Sequence, residues 1–291
     1  MRLEATMTIL AGLLAAACTL AESTKPAPQA AAAVSPSPSL GEGATLSADD
    51  ILERNFAALG GRERIRAVRT LRLEATQRAG NRVDPVKLYW KRPDRLRIEA
   101  PNEGLATLQV FDGERAWFTY PALPGFEVQI LDGAEREALR AQADLIEGPT
   151  FDYAAKGHRV ELLGKEKRPE GEIWRLLLTT AQGEVRTLWF DAATFLQVGE
   201  ERREVRPDGE VTIESTLSDF RAVGGLLFAH HVESRATAGG SGSGRPAEVS
   251  VFSIQKLEVD LDVPDALFAL PAPSSPPSPP PAPPALSPGA R

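Results

Sequence analysis

DLIEGPTFDYAAKGHRVELLGKEKRPEGEIWRLLLTTAQGEVRTLWFDAATFLQVGEE, residues Asp144 to Glu201, decides the fold. It opens at the end of a helical pattern, with a break at Gly148-Pro149. Four short runs with period-two alternation follow, as in strands that bury one face. Val160 and Leu162 alternate with Arg159 and Glu161, and Trp174, Leu176 and Leu178 alternate with Arg175 and Leu177. Val185, Thr187 and Trp189 alternate with Arg186 and Leu188, and Leu196 and Val198 close the series. The separators Lys167–Gly171, Ala181–Gly183 and Asp191–Thr194 suit tight reversals. The stretch therefore reads as an antiparallel meander, broad and apolar, with no catalytic motif.

Working outward, Leu71, Leu73 and Ala75 begin a second meander. Val86, Leu88 and Trp90 continue it, then Leu96 and Ile98, then Ala106, Leu108 and Val110. Asp112-Gly113 marks a hairpin into Arg115–Tyr120. Further strand patterns lie at Val211–Leu217, Leu226–Glu233 and Val249–Ile254. Two amphipathic helices are predicted. The first starts at a capping box, Ser47 with Asp50, presents Leu52, Phe56 and Leu59 on one face and stops at Gly60-Gly61. The second spans Asp132 to Ile146, with Leu139, Ala143 and Ile146 on one face. Between them, Arg62, Arg64, Arg66 and Arg69 read as a basic turn, either a solvated face or an anchor for a lid or head group. The fold class is α+β: a strongly curved antiparallel sheet of about ten or eleven strands, an incomplete β-barrel capped by two or more helices.

The flanks predict export. Thr8–Ala17 is an apolar run of signal-peptide length, too short to span a bilayer as a mature helix. It ends at Cys18, the only cysteine. Leu14-Ala-Ala-Ala-Cys18 resembles the bacterial lipobox, which implies cleavage after residue 17 and acylation of Cys18. An ordinary secretory signal cut near Ala17 is the alternative. Residues 18–46 then form a Pro- and Ala-rich tether, 47–271 the folded domain and 272–291 a Pro-rich tail. The tail reads as disordered or as a docking segment for an envelope protein partner. Thr19 after the cysteine is compatible with an outer membrane lipoprotein facing the periplasm.

Charge and motifs exclude other classes. A net charge of −7 without a basic stripe argues against nucleic acid. His230 and His231 stand beside Glu233, but neighbouring strand residues point to opposite faces and do not converge on one ion. There is no G-x-S-x-G elbow, and neither Gly224-Gly225 nor Gly239–Gly244 carries the lysine of a phosphate loop. The expectation is a non-enzymatic monomer without cofactor or metal.

From Ile51 to Pro271 the chain resembles the LolA/LolB-like outer membrane lipoprotein-sorting proteins. The residues that carry this are Arg92-Pro-Asp-Arg-Leu-Arg-Ile-Glu99, Val110-Phe-Asp-Gly-Glu-Arg-Ala-Trp117, Gly157-His-Arg-Val-Glu-Leu-Leu-Gly-Lys-Glu166 and Leu267-Phe-Ala-Leu-Pro271. The resemblance implies a half-barrel whose hydrophobic cavity holds the acyl chains of lipoproteins or of another amphiphile. It implies service as carrier or acceptor, while related barrels act as envelope sensors. A tethered, fully packed structural domain is the remaining alternative. Candidate cavity residues are Phe56, Leu59 and Leu139 from the helices and Leu71, Leu73, Leu88 and Trp90 from the first strands. Leu108, Val110, Trp174, Leu176, Leu178 and Trp189 complete the set. Burying an acyl chain there would yield about 0.8 kcal/mol per methylene.

Overall fold

The computed structural model describes residues 46–102, 105–123, 128–206, 209–238 and 247–271. The predicted signal sequence, Cys18, most of the predicted tether and the Pro-rich residues 272–291 lie outside these residues.

The amino-terminal helix α1 (Ala48–Leu59) starts at the expected capping box: the Ser47 hydroxyl accepts from Asp50 N, and Ser47 N donates to the Asp50 carboxylate at 2.8 Å. Gly60, at φ 123°, ends it. A side chain on Gly60 would meet the Gly225 carbonyl at 2.3 Å, so the helix end and the sheet touch backbone to backbone. The basic run forms a short helix, α2 (Arg62–Ala67), where the sequence suggests only a turn.

Six strands follow: β1 (Thr70–Ala79), β2 (Arg82–Lys91), β3 (Arg95–Asn102), β4 (Leu105–Phe111), β5 (Ala116–Thr119) and β6 (Gln129–Leu131). After α3 (Gly133–Ala143) come β7 (Arg159–Arg168), β8 (Gly171–Thr179), β9 (Val185–Asp191) and β10 (Gln197–Arg206). The last strands are β11 (Gly209–Val223), β12 (Leu226–Ala238) and β13 (Glu248–Val259). They form one antiparallel sheet of thirteen strands in the order β6-β5-β4-β3-β2-β1-β13-β12-β11-β10-β9-β8-β7. The chain thus winds from the middle to one edge, crosses through α3 and residues 144–158, and returns from the other edge. The count exceeds the expected ten or eleven, and the three-residue β6 is the strand with no pattern of its own in the sequence.

The sheet is bent. Thirteen strands at about 4.8 Å spacing would stretch about 60 Å if flat. Yet one apolar cluster unites Leu73, Leu88 and Phe118 from one half with Val160, Leu176 and Phe190 from the other, together with Ile51 and Phe56 of α1. The edge strands β6 and β7 do not pair with each other, so the sheet stays open. A second cluster sits on the outer face, where Val263 and Phe268 pack on Leu108, Val110 and Trp117. That strap is held by Arg97 donating to Leu267 O at 2.9 Å and Lys91 donating to Val263 O at 2.8 Å.

Candidate functional site

Strand register assigns every side chain to a face. Leu71, Leu73, Ala75 and Gln77 of β1 stand opposite Trp90, Leu88, Val86 and Asp84 of β2, all facing inward. Across the sheet the inner set continues through Leu188–Leu176–Leu162 and Arg186–Leu178–Val160. Leu71, Leu73, Leu88, Trp90, Leu176 and Leu178 are each no more than 3% exposed, as are Phe56 and Leu139. These side chains are packed in one buried cluster that includes Ile51 and Phe56 of α1 and Leu139 of α3. Leu59 and Trp174 are half-buried at the border of the same cluster.

Three expected lining residues face outward instead. Leu108 and Val110 lie beneath the strap, because β4 turns Thr107, Gln109 and Phe111 inward. Trp189 is buried outside, over Gly199, where a β-carbon would come within 2.5 Å of its ring, with the Arg168 guanidinium 3.9 Å from the ring centroid. In β9 the inward residues are Arg186, Leu188 and Phe190, not Val185, Thr187 and Trp189. An aromatic side chain misled the face assignment. Leu188 and Phe190, paired with Leu176 and Trp174, carried the contrary signal.

That correction exposes what the sequence reading missed. The interior has two tiers. Near the helices it is apolar; toward the opposite end it is polar and still buried. Arg186, Glu200 and Arg202 are 2–4% exposed, and they form an alternating charge ladder with Glu184 and Glu204. Arg186 pairs with Glu184 at 2.7 Å and lies 3.8 Å from Glu200; Arg202 reaches Glu200 at 3.3 Å and Glu204 at 3.1 Å. The tier continues through Ser215, bonded to Ser234 at 2.8 Å. Gln77, 3% exposed on β1, has a side-chain oxygen without a donor.

The helical elements meet the apolar tier by few, definite contacts. Asn55 of α1 donates to Phe195 O at 2.8 Å, and Trp90 donates from its indole to Ala143 O at the end of α3 at 2.6 Å. Arg62 clamps Glu53 and Asp152 and lies 4.4 and 4.5 Å from the Phe56 and Phe151 ring centroids. Arg64 donates to Gly224 O and pairs with Asp260, and Arg66 pairs with Asp152 at 2.8 Å. The basic run is thus an anchor between elements. His230 is buried with Nδ1 2.9 Å from Phe228 O, while His231 lies by Ser253.

Where α3 ends, Asp144 pairs with Lys156 at 2.5 Å, and Lys156 also donates to Gly148 O. Burial pushes the Asp144 carboxyl up to about 6; the Lys156 charge opposes this and Glu147 adds to it. The folded form therefore binds this proton more tightly than the unfolded chain, whose value is 3.8. The site's stabilising contribution is complete below that value and disappears as pH rises through about 6. With 35% of the side chain exposed, solvent damps the effect. Asp144→Asn is expected to flatten the pH dependence of α3 hydrogen exchange between about pH 4 and 7. An unchanged profile would assign the dependence to another group.

An open antiparallel sheet wrapped about an apolar inner face is a half-barrel, and the fold is the one found in the LolA superfamily. LolA superfamily protein NE2245 from Nitrosomonas europaea superposes with a TM-score of 0.50 at 16% identity, over 78% of this chain and 99% of that one. A DUF1329 family protein from Desulfovibrio piger ATCC 29098 gives a TM-score of 0.50 at 15% identity, over 76% of this chain and 96% of that one. No family model and no curated protein matches the chain. At such identities the likeness is one of fold.

Proposed function

We propose that this is a non-catalytic envelope protein that takes an acyl chain of a lipoprotein or another amphiphile between its apolar inner face and α3. The observation that carries this reading is the unsealed sheet: β6 and β7 do not pair, and the chain between them is α3 and residues 144–158. A sheet closed by strands would have no such movable wall.

The energetics favour α3 as the part that moves. Its buried side chains are Ala138, Leu139, Gln142 and Ala143, whereas α1 buries Ile51, Leu52, Asn55 and Phe56. Lifting α3 exposes one leucine and two alanines and breaks the Trp90 bond. That costs about 4–5 kcal/mol. Sheet side chains uncovered by the helix are covered again by the ligand. About six buried methylenes offset the loss. The charge ladder limits how far the chain can penetrate, so it would lie in the tier beside the helices.

Anchoring through an acylated Cys18 would make the protein a membrane-held acceptor rather than a shuttle. Native mass spectrometry of the protein purified from its own envelope reads both points. The expected spectrum contains a releasable amphiphile and a covalent acyl mass on the segment bearing Cys18. A spectrum of bare polypeptide from membrane and soluble fractions alike would leave only the packed structural domain.

A second reading, capture of an extended protein segment along the outer edge of β7, has one observation in its favour. This ten-residue strand stands at the end of the sheet order. The bulge between Leu162 and Gly164 and the charges of Lys165 and Lys167 oppose it, since both discourage strand addition.

A further inference from the structure

Four indole or carboxamide nitrogens among the described residues are buried without an acceptor: those of Trp117, Trp174, Trp189 and Gln197. A buried donor left unpaired costs free energy, so each asks for a cause. Trp117 and Trp189 face outward, one beneath the strap and the other over Gly199. Trp174 and Gln197 face inward, and they belong to one row. Lys165 of β7 stands opposite Trp174 of β8, Trp174 opposite Phe190 of β9, and Phe190 opposite Gln197 of β10. The two donors thus flank Phe190, about 10 Å apart at the backbone. Asn55 of α1 bonds Phe195 O in the turn between β9 and β10, which puts the row at the helix end of the sheet, beside the apolar tier. All of it lies within residues 128–206, which are described without a gap.

Along β8 the inward side chains pass from charge to hydrocarbon. Glu172 comes first, 53% exposed and paired with Lys165. Half-buried Trp174 follows, with the Lys165 ammonium 5.4 Å from its ring centroid. Leu176 and Leu178 come last, each 0% exposed. The unpaired donors therefore stand at the boundary between a charged edge and an apolar wall.

We propose that Trp174 and Gln197 receive the carbonyl oxygen of an acyl linkage, ester or amide. This rests on the acyl-chain reading above and narrows its ligand: tail against the apolar wall, carbonyl at the row, head group in water beyond Lys165 and Glu172. An indole N–H only donates, so its partner must be an acceptor. In an acylated molecule the group at the junction of tail and head is a carbonyl, an acceptor that brings no charge. A free fatty acid fits less well, because its carboxylate needs a cation and Lys165 is already matched by Glu172. An alkyl chain joined to its head by an ether would leave both donors without a carbonyl. The row is thus a selector for acyl over alkyl ligands, at positions where plain core packing would put side chains with no N–H.

Calorimetric titration of the delipidated full chain tests this with three compounds of the same tail length and a glycerol-like head: glycerol monolaurate, the matching amide and the matching alkyl ether. The ether keeps tail and head and lacks only the carbonyl. Ester and amide are expected to bind about 3- to 10-fold more tightly than the ether. The tighter of the two identifies the linkage the row accepts. Trp174→Phe combined with Gln197→Leu should bring the ratio close to one while the ether still binds, each single substitution removing part of it. Equal affinity for all three compounds in the native sequence overturns the proposal and leaves the acyl-chain reading standing. So does a preference for the carbonyl that survives the double substitution. Failure of all three to bind overturns both readings together.

Discussion

Arg202→Ala is expected to lower stability by about 3–5 kcal/mol, read as a fall in the urea midpoint at neutral pH. Its guanidinium stands between Glu200 and Glu204, and its side chain is 3% exposed, with that of Glu200 at 4%. Truncation leaves Glu200 buried with only Arg186 in reach, at 3.8 Å. Removing one partner strands a charge in a place where water cannot solvate it; removing both does not. Glu200→Leu combined with Arg202→Leu should therefore recover most of the loss, because Arg186 keeps Glu184 and the inner face gains two apolar side chains. The contrast between single and double variants is the informative quantity. If Arg202→Ala costs less than about 1 kcal/mol, water reaches the ladder and the polar tier is an open mouth rather than a sealed floor.

That tier also marks the limit of what was readable in the sequence. Strand existence and turn positions follow from local chemistry, and the meander through Asp144–Glu201 stands where alternation places it, with Lys167–Gly171, Ala181–Gly183 and Asp191–Thr194 as its reversals. The capping box at Ser47 and the stop at Gly60 are equally local. Face assignment is not local. Whether Trp189 or Leu188 points inward depends on which one meets Leu176 across the ladder, and an aromatic residue on a half-apolar strand sends the wrong signal. Gly-Glu-Glu-Arg-Arg-Glu-Val-Arg206 looks like a solvated edge. It becomes an interior only because β10 lies between β9 and β11 in a sheet bent around its own centre. The same holds for Leu108 and Val110: the strap that covers them arrives from residues 261–271, far along the chain. The pairing of β1 with β13, which joins the two meanders, has no local signature either.

Leu139→Ala is expected to speed hydrogen exchange in α3 by roughly 30- to 150-fold, through an opening of lower free energy and shallower urea dependence than the exchange of β1 and β2. Leu139, 1% exposed, is the one large apolar anchor of that helix. Its truncation removes about 2–3 kcal/mol from the closed form. If α3 opens on its own, that loss falls wholly on the local opening equilibrium and converts directly into the stated rate change. Positions in β1 and β2 that exchange only by full unfolding lose the same amount, because Leu139 is exposed in that state too, but they keep a higher free energy of exchange and a steeper dependence on urea than α3. The same variant should load acyl chains faster, because the closed form competes less well with the ligand. Exchange of α3 at the same free energy and urea slope as the sheet would mean that α3 and the strands unfold as one unit, and a wall that cannot move alone cannot admit a ligand. Trp90→Phe supplies a further check, since it removes the indole donor to Ala143 O together with part of the buried ring. It should loosen the carboxyl-terminal turn of α3 by a smaller factor, set by the about 1–3 kcal/mol of a buried carbonyl left without its donor. Exchange in α3 quickened by both substitutions at a shallow urea slope is the behaviour of a hinged cover; exchange at the slope of the sheet is that of a core.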